Sequence, residues 1–343
     1  MARSTRLGKA KVRQPEIVAV GVACLDHAVA VESLNAGERI GAQKYLLAGG
    51  GMAATGMVAA ARLGGLCALA SSVGDDWAGH LVYDELQREG IDLRYLKLRP
   101  TGRTGISLCM SETSSGRKLI IGLAGGNQRL TPADVDDGFW RMLAGAKLLH
   151  LDGFHAELAL KAGECARDAG VPVHLDCTIG GATSEKFLRV SDIVFASQTF
   201  AERQFGVDVT PKVLEWLLDL TPARYVGLTM GAAGSIALDR KTGKRYFQPA
   251  FDIQVFDTVG AGDSYHGAMS FALARGWPLD KAMRLATAVG AMCCLGLGGR
   301  EGLPTLRQAQ AFLRKAKPVA AKHAIQGLST STGAIFSYSS LRR

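Results

Sequence analysis

The second half of the chain has a rhythm that few folds can satisfy. From Thr131 onward, short apolar runs (KLLHLD, VPVHLD, DIVFAS and RYVGLTM) alternate with stretches of helical periodicity such as AELALKAGECARDAG. Strand–helix alternation of this kind builds βαβ units. Strands that read as continuous apolar runs belong to a parallel sheet covered by helices on both faces. Thr131 followed by Pro132 predicts a helix start and a helix over 132–144, and two more helices, Asp263 to Arg275 and Leu279 to Cys294, close the body. The expected fold class is α/β, a three-layer α/β/α arrangement with a mostly parallel central sheet.

The first half is less regular. One apolar strand is predicted over Glu16 to Val31, interrupted only by the carboxylate of Asp26. An Ala-rich helix ending at Gly64, a buried strand (LCALASSVG) and a helix closing on Gly90 follow. GERIGAQKYLLAGGG alternates like a half-exposed strand, and GISLCMSETSSGRKLIIG reads as a hairpin turning at Ser114, Ser115 and Gly116. Segments 27–48 and 104–121 thus stand outside the βα alternation and are expected to form a small β-sheet lid over one end of the main sheet.

A net charge of +9 invites a nucleic-acid partner, but its location argues otherwise. Residues 1–15 carry Arg3, Arg6, Lys9, Lys11 and Arg13 with no acid, and residues 317–343 carry Lys317, Lys322, Arg342 and Arg343 with no acid. The body between them is electrically balanced, so no nucleic-acid partner is expected, and both ends are expected to be poorly ordered tails. The cysteines (24, 67, 109, 165, 177, 293, 294) are odd in number and form no CxxC pair, as in reduced core thiols of a cytoplasmic protein. Charge near the N-terminus without a following apolar run predicts no secretory signal. The stretch Gly49 to Val73 is broken by Arg62 and three glycines, so no membrane span is expected.

The strongest chemical signal is DTVGAGDSYHGAMSFALARG, Asp257 to Gly276. Gly260, Ala261 and Gly262 precede an amphipathic helix opening at Asp263. Small residues admit a ligand close to the backbone, and a helix start favours an anion. Asp263 could be a simple helix cap. Beside an anion cradle, however, a carboxylate makes chemical sense as the base that deprotonates a hydroxyl attacking a phosphate. No Walker A sequence is present. GGGMAA can be read as a dinucleotide fingerprint, but it follows the lid-like segment and no acid closes a βαβ unit behind it. Asp152 and Asp176 both end apolar strands, and ligands of open parallel sheets bind beyond strand C-termini. His27, His150, His155 and His174 lack metal-ligand spacing and read as core or rim histidines.

DTVGAGD is similar to the second signature of the ribokinase-like (PfkB) carbohydrate kinases, complete at every fixed position. With GGG before the Ala-rich helix, AGGN at Ala124 to Asn127, and TMGAAGS at Thr229 to Ser235, the resemblance runs in order over about residues 17–305. It implies a kinase domain over 16–316 that binds ATP and Mg²⁺, possesses a K⁺-type cation site, and phosphorylates a small sugar. The resemblance makes Asp263 the base and Gly260 to Gly262 the γ-phosphate anion hole. It assigns Asp26, Gly49, Gly50, Gly51 and Asp152 to the sugar, with Arg39 of the lid as an anion contact. Thr229, Gly231, Gly234, Thr258, Ser197 and Thr287 are assigned to the nucleotide. Asp257 with the 294–300 loop is assigned to a monovalent cation, and pairing of lids implies a homodimer.

This sequence departs from the family pattern in places. Where relatives carry N-x-x-E for Mg²⁺, Ser197 and Phe200 stand, leaving Glu202 and Asp176 as substitute ligands. The usual Asn after the glycines is Thr55. GGGMAATGMVAAARLG and GGREGLP look most like the sulfofructose kinase branch, but Gly122 and Gly153 occupy the positions of its sulfonate contacts. The acceptor could be a pentose, a hexose, a sugar phosphate or a nucleoside. A non-catalytic sugar or nucleotide sensor is the rival reading.

Overall fold

The computed structural model describes residues 13–35, 39–123, 128–177, 182–205 and 211–319. Two sheets organise them. The larger has nine strands in the order β13-β12-β11-β10-β9-β8-β1-β4-β5. These are β1 (Ile17–Val20), β4 (Cys67–Gly74), β5 (Leu96–Arg99), β8 (Leu148–Leu151), β9 (Val173–Cys177), β10 (Ile193–Ser197), β11 (Tyr225–Thr229), β12 (Ser235–Asp239) and β13 (Arg245–Gln248). Every pairing from β11 across to β5 is parallel, while β12 runs antiparallel to both of its neighbours. The alternation in the sequence thus yields the layered α/β/α fold.

Successive residues of β1 illustrate why the central strands read as unbroken apolar runs. Val18 and Val20 join a core cluster on one face, and Ile17 and Ala19 join a cluster on the other. The first cluster is covered by α3 (Asp137–Ala144), α4 (Ala156–Asp168), α5 (Ala182–Val190), α6 (Gln198–Phe205) and α7 (Pro211–Leu220). The second is covered by α1 (Met52–Arg62), α2 (Trp77–Arg88), α8 (Ala261–Ala274), α9 (Leu279–Cys293) and α10 (Leu306–Lys315).

The second sheet has the order β3-β2-β6-β7, with β2 (Cys24–Val31), β3 (Lys44–Gly50), β6 (Ile106–Glu112) and β7 (Lys118–Leu123). The β6–β7 hairpin turns where the sequence places Ser114 to Gly116. β7 is the edge strand and is exposed along its whole length.

Two predicted elements are divided. The strand expected over Glu16 to Val31 is two strands in different sheets, broken at Gly21. A β-carbon on Gly21 would sit 2.4 Å from both Ala53 and the Asp152 carboxylate, so the chain turns where no side chain fits. Asp26 therefore belongs to the second sheet and does not end a core strand. The helix expected over 132–144 is a short 3-10 turn, Pro132–Asp134, followed by α3. Asp136 starts α3 by accepting the Phe139 N–H at 3.2 Å while also accepting the Tyr95 hydroxyl.

Gln14 donates to the Met142 carbonyl, and Pro318 bridges to Phe251, so both predicted tails reach ordered structure at their inner ends. Residues 1–12 and 320–343 lie outside the described residues. Among the described residues no helix is long and apolar enough to cross a membrane, and the seven cysteines are free thiols.

Helix α8 crosses α1 at two glycines. A β-carbon on Gly267 would lie 2.0 Å from the Gly56 carbonyl oxygen, whereas one on Gly56 would meet the Asp263 carbonyl oxygen at a tolerable 3.3 Å. Gly267→Ala is therefore expected to lower stability by about 3 kcal/mol in urea unfolding. Gly56→Ala gains helix propensity against a mild contact and should stay within about 1 kcal/mol of the parent. Equal costs would show that this crossing is not the tight point.

Candidate active site

Gly260 starts α8 from the left-handed region (φ 74°), and a β-carbon there would lie 2.4 Å from the Cα of Gly299. The first turn then presents its amides to a cleft. Among the described residues, the Gly262 and Asp263 N–H groups find no carbonyl partner. Asp263 is the third residue of this helix, and its side chain lines a cavity of about 820 Å³ between the main sheet's strand ends and the second sheet. Burial pushes its carboxyl up to about 7. The Asp176, Asp26 and Asp152 carboxylates add to that rise, and the Lys118 ammonium opposes it.

A second cavity of about 390 Å³ adjoins the first; Lys118, Thr229 and Gly262 line both. Its walls include Gly231, Gly234, Thr258 and Thr287, together with apolar Ile253 and Val255. The Thr287 hydroxyl is turned back to the Met283 carbonyl at 2.9 Å. Val319, from the segment expected to be tail, forms part of the wall.

The three glycines before α1 do different jobs. Gly51, at φ 94°, lines the larger cavity. Gly50 leaves room for Asp26, whose carboxylate oxygen would be only 2.0 Å from a β-carbon there. Gly49 leaves room for Arg300, 2.3 Å from a β-carbon there. The Gly49 N–H is already donated to Glu85 Oε2 at 2.7 Å. Arg300, 6 % exposed, donates to the Gly50 carbonyl at 3.1 Å and pairs with Glu85 at 3.4 Å. Burial holds its guanidinium below the usual arginine range, and burial raises the Asp26 carboxyl despite the nearby Arg300 charge. Asp26 lines the cavity beside Ser107 and accepts a hydrogen bond from the Cys24 thiol at 3.4 Å.

The strand-end acids diverge. Asp152 accepts three backbone N–H groups, from Val22 (2.8 Å), Ala53 (3.1 Å) and Phe154 (2.9 Å), and does not line the cavity. It ties the exit of β1 to the first turn of α1. Asp176 does line the cavity and lies 3.2 Å from His266 Nε2. Behind it runs a buried chain. His266 Nδ1 is 3.3 Å from His174 Nε2, and the Ser270 hydroxyl joins His174 Nδ1 (2.8 Å) to His150 Nδ1 (3.0 Å). Burial lowers all three imidazoles, His150 and His266 to about 3, so they are neutral. Neutral rings can pass donors in one direction, each pointing toward Asp176. The chain ends at His150, whose Nε2 is buried with no hydrogen-bond partner among the described residues, and no group of three or more His, Cys, Asp or Glu suited to a metal occurs among the described residues.

Other predicted positions are placed as follows. Ser197 lines the cavity, and its hydroxyl accepts the Phe200 N–H at 3.1 Å. Phe200 is fully buried in the core. Glu202 is exposed on α6, held by Gln198 at 3.0 Å, and lines neither cavity. Arg39 is exposed and also lines neither. Asp257 accepts the Ser111 hydroxyl, the Val259 N–H (2.9 Å) and the Gly298 N–H (2.7 Å), which ties β6 to the 294–300 loop. Ala124 to Asn127 lies outside the described residues.

Sequence reasoning missed Lys118, Arg129, Arg300 and His266. Lys118 opens β7 and donates to the Thr258 carbonyl at 3.1 Å, so it stands where the two cavities meet. The one usable signal was His266, which sits three residues beyond Asp263 and so on the same helix face.

Known proteins resemble this chain over most of its length. The family model described as pfkB family carbohydrate kinase matches residues 14–306. The ribokinase of Haemophilus influenzae is 29% identical over 298 residues, covering 85% of this chain and 96% of that protein. The ATP-dependent ribose-1-phosphate kinase of Halopiger xanaduensis is 28% identical over 267 residues, covering 77% and 86%. Among solved structures, Arabidopsis thaliana ribokinase complexed with ribose and ATP matches with a TM-score of 0.75 at 26% identity, covering 88% of this chain and 99% of that one.

Because the folded Asp263 carboxyl titrates near 7 and an unfolded one near 3.8, ionising it costs the folded state free energy. The contribution is favourable at low pH and is lost as pH rises through 7. Asp263→Asn is therefore expected to stabilise the protein by about 1–3 kcal/mol at pH 8, and by less at pH 5. Thermal melts at the two pH values check this; a variant less stable than the parent at pH 8 would reject it.

Proposed function

The chain belongs to the pfkB family of carbohydrate kinases, and from that premise we propose that it transfers the γ-phosphate of Mg·ATP to a hydroxyl of a small sugar, with Asp263 as general base. Members of this family are phosphotransferases acting on alcohol groups. The observation that carries the reading is the start of α8. There a carboxylate, two amides with no carbonyl partner among the described residues, and Lys118 converge where a larger and a smaller cavity meet.

In this reading ATP occupies the smaller cavity, its base against Ile253 and Val255 and its phosphates toward Gly231, Thr258 and the α8 amides. The sugar occupies the larger cavity, with Asp26 accepting hydrogen bonds from its hydroxyls. Asp263 takes the proton of the attacking hydroxyl as the oxygen closes on phosphorus. The amides of Gly262 and Asp263 and the Lys118 ammonium offset the charge that spreads over the transferred group. A base whose carboxyl is raised by burial suits this task, because it holds the proton it takes more firmly than an ordinary carboxylate does. Mg²⁺ supplies charge neutralisation when it arrives with the nucleotide. With no three-ligand cluster among the described residues, the fit is to a phosphate-borne ion, with Asp176 as the carboxylate lining that region. For a monovalent cation Asp257 is an acid that contacts the 294–300 loop, and its oxygens already accept three hydrogen bonds. The second sheet, closing over the sugar, would exclude water and limit ATP hydrolysis.

ADP release from Mg·ATP, measured across pentoses, hexoses, their phosphates and nucleosides, tests the proposal. At least one compound should stimulate turnover, and Asp263→Asn should reduce kcat by about 10²–10⁴-fold with little change in KM. Compounds that shift the melting temperature but are never phosphorylated would instead support a sensor.

A further inference from the structure

The larger cavity has a cation at its far end that phosphoryl transfer does not use. Lys118 stands at the nucleotide side. Arg129 stands against the ends of β8 and β4: the Leu130 N–H donates to His155 Nδ1 at 3.0 Å, and the Gln128 carbonyl accepts the Ser72 hydroxyl. In the main sheet these strands lie on the other side of β9 and β10 from β11, whose end carries the nucleotide-side loop. The cleft thus has one positive group toward each end.

Arg129 is held in a way that leaves its fork available. The guanidinium carbon lies 3.6 Å from the centre of the Phe154 ring, and one N–H is donated to the Phe154 carbonyl. Phe154 is in turn fixed by its own N–H to Asp152, the carboxylate that also anchors Val22 and Ala53. The neighbouring Asp152 is occupied by those three backbone donors, and among the described residues Arg129 forms no ion pair with a carboxylate. A planar guanidinium held over a ring keeps edge N–H groups for the two oxygens of a phosphate or carboxylate.

We propose that the acceptor sugar carries an anionic group, a phosphate ester or a carboxylate, and that Arg129 binds it at the end of the cleft opposite the nucleotide. This rests on the kinase reading above. The anion orients the sugar so that a hydroxyl at its other end faces Asp263. Arg129 is then a specificity-determining residue that separates acidic sugars from neutral ones.

The test uses the full chain with ribose, ribose 5-phosphate and ribonate as acceptors, read both as kcat/KM and as binding by calorimetry without ATP. The phosphate or the carboxylate compound should exceed ribose in kcat/KM by at least about tenfold, and which of the two does so identifies the group. Arg129→Ala should raise KM for that compound by about 10–100-fold with a much smaller change in kcat, so that its advantage over ribose collapses. Arg129→Lys, a point charge without the fork, should restore part of it. Turnover of ribose at least equal to that of both acidic compounds, with the ratio unmoved in Arg129→Ala, overturns the inference and leaves the kinase reading intact. No turnover of any acceptor, together with Arg129-dependent binding of the acidic compound, overturns the kinase reading and leaves the anion site standing.

Discussion

A β-carbon on Gly267 of α8 would fall 2.0 Å from the carbonyl oxygen of Gly56 in α1, so the two helices meet backbone to backbone at that residue. That approach sets where the first turn of α8 lies, because Gly56 also sits beneath the carbonyl of Asp263. One turn earlier, Gly260 touches Gly299 with the same lack of space. The base and the amides beside it are therefore positioned by backbone packed on backbone, which moves less than side chains do. The Ala-rich character of α1 and the small residues of α8 follow from this, as both helices must lie close to each other and to the sheet.

A cleft built this way concentrates negative charge. Asp26, Asp176 and Asp263 all line it, and two of the three have their carboxyls raised primarily by burial. Around them the chain arranges partners of graded strength. Arg300 stands near Asp26, Lys118 stands near Asp263, and the neutral His266 imidazole stands behind Asp176. Asp152, which has three backbone donors and does not line the cavity, organises the β1–α1 connection and the loop that carries Phe154.

The sequence made some of this legible and hid the rest for physical reasons. Alternating apolar runs revealed the parallel sheet because strands buried on both faces leave a local compositional mark. Gly260 to Asp263 were legible because a tight turn, a helix start and an acid occur within four residues. The break at Gly21 was hidden, since both halves of the predicted strand are apolar and the neighbours that explain the turn, Ala53 and Asp152, are distant in sequence. Gly49 and Gly50 were recognised as special, yet the first makes space for Arg300, some 250 residues downstream, and the second for Asp26 on the neighbouring strand. Lys118 and Arg129 look like ordinary surface cations in sequence; folding alone brings one to the junction of the cavities and the other onto Phe154.

The central claim is that a buried carboxylate titrating near neutrality removes the acceptor's proton. The pH dependence of kcat/KM for a saturably phosphorylated acceptor tests it most directly. The account predicts a unit slope on the acid side that levels off near pH 7, as Asp263 becomes ionised. It also predicts that Asp263→Asn retains only a small, nearly flat residual rate. A wild-type rate constant from pH 5 to 8, or an acid limb surviving unchanged in Asp263→Asn, would contradict it and assign the proton transfer elsewhere.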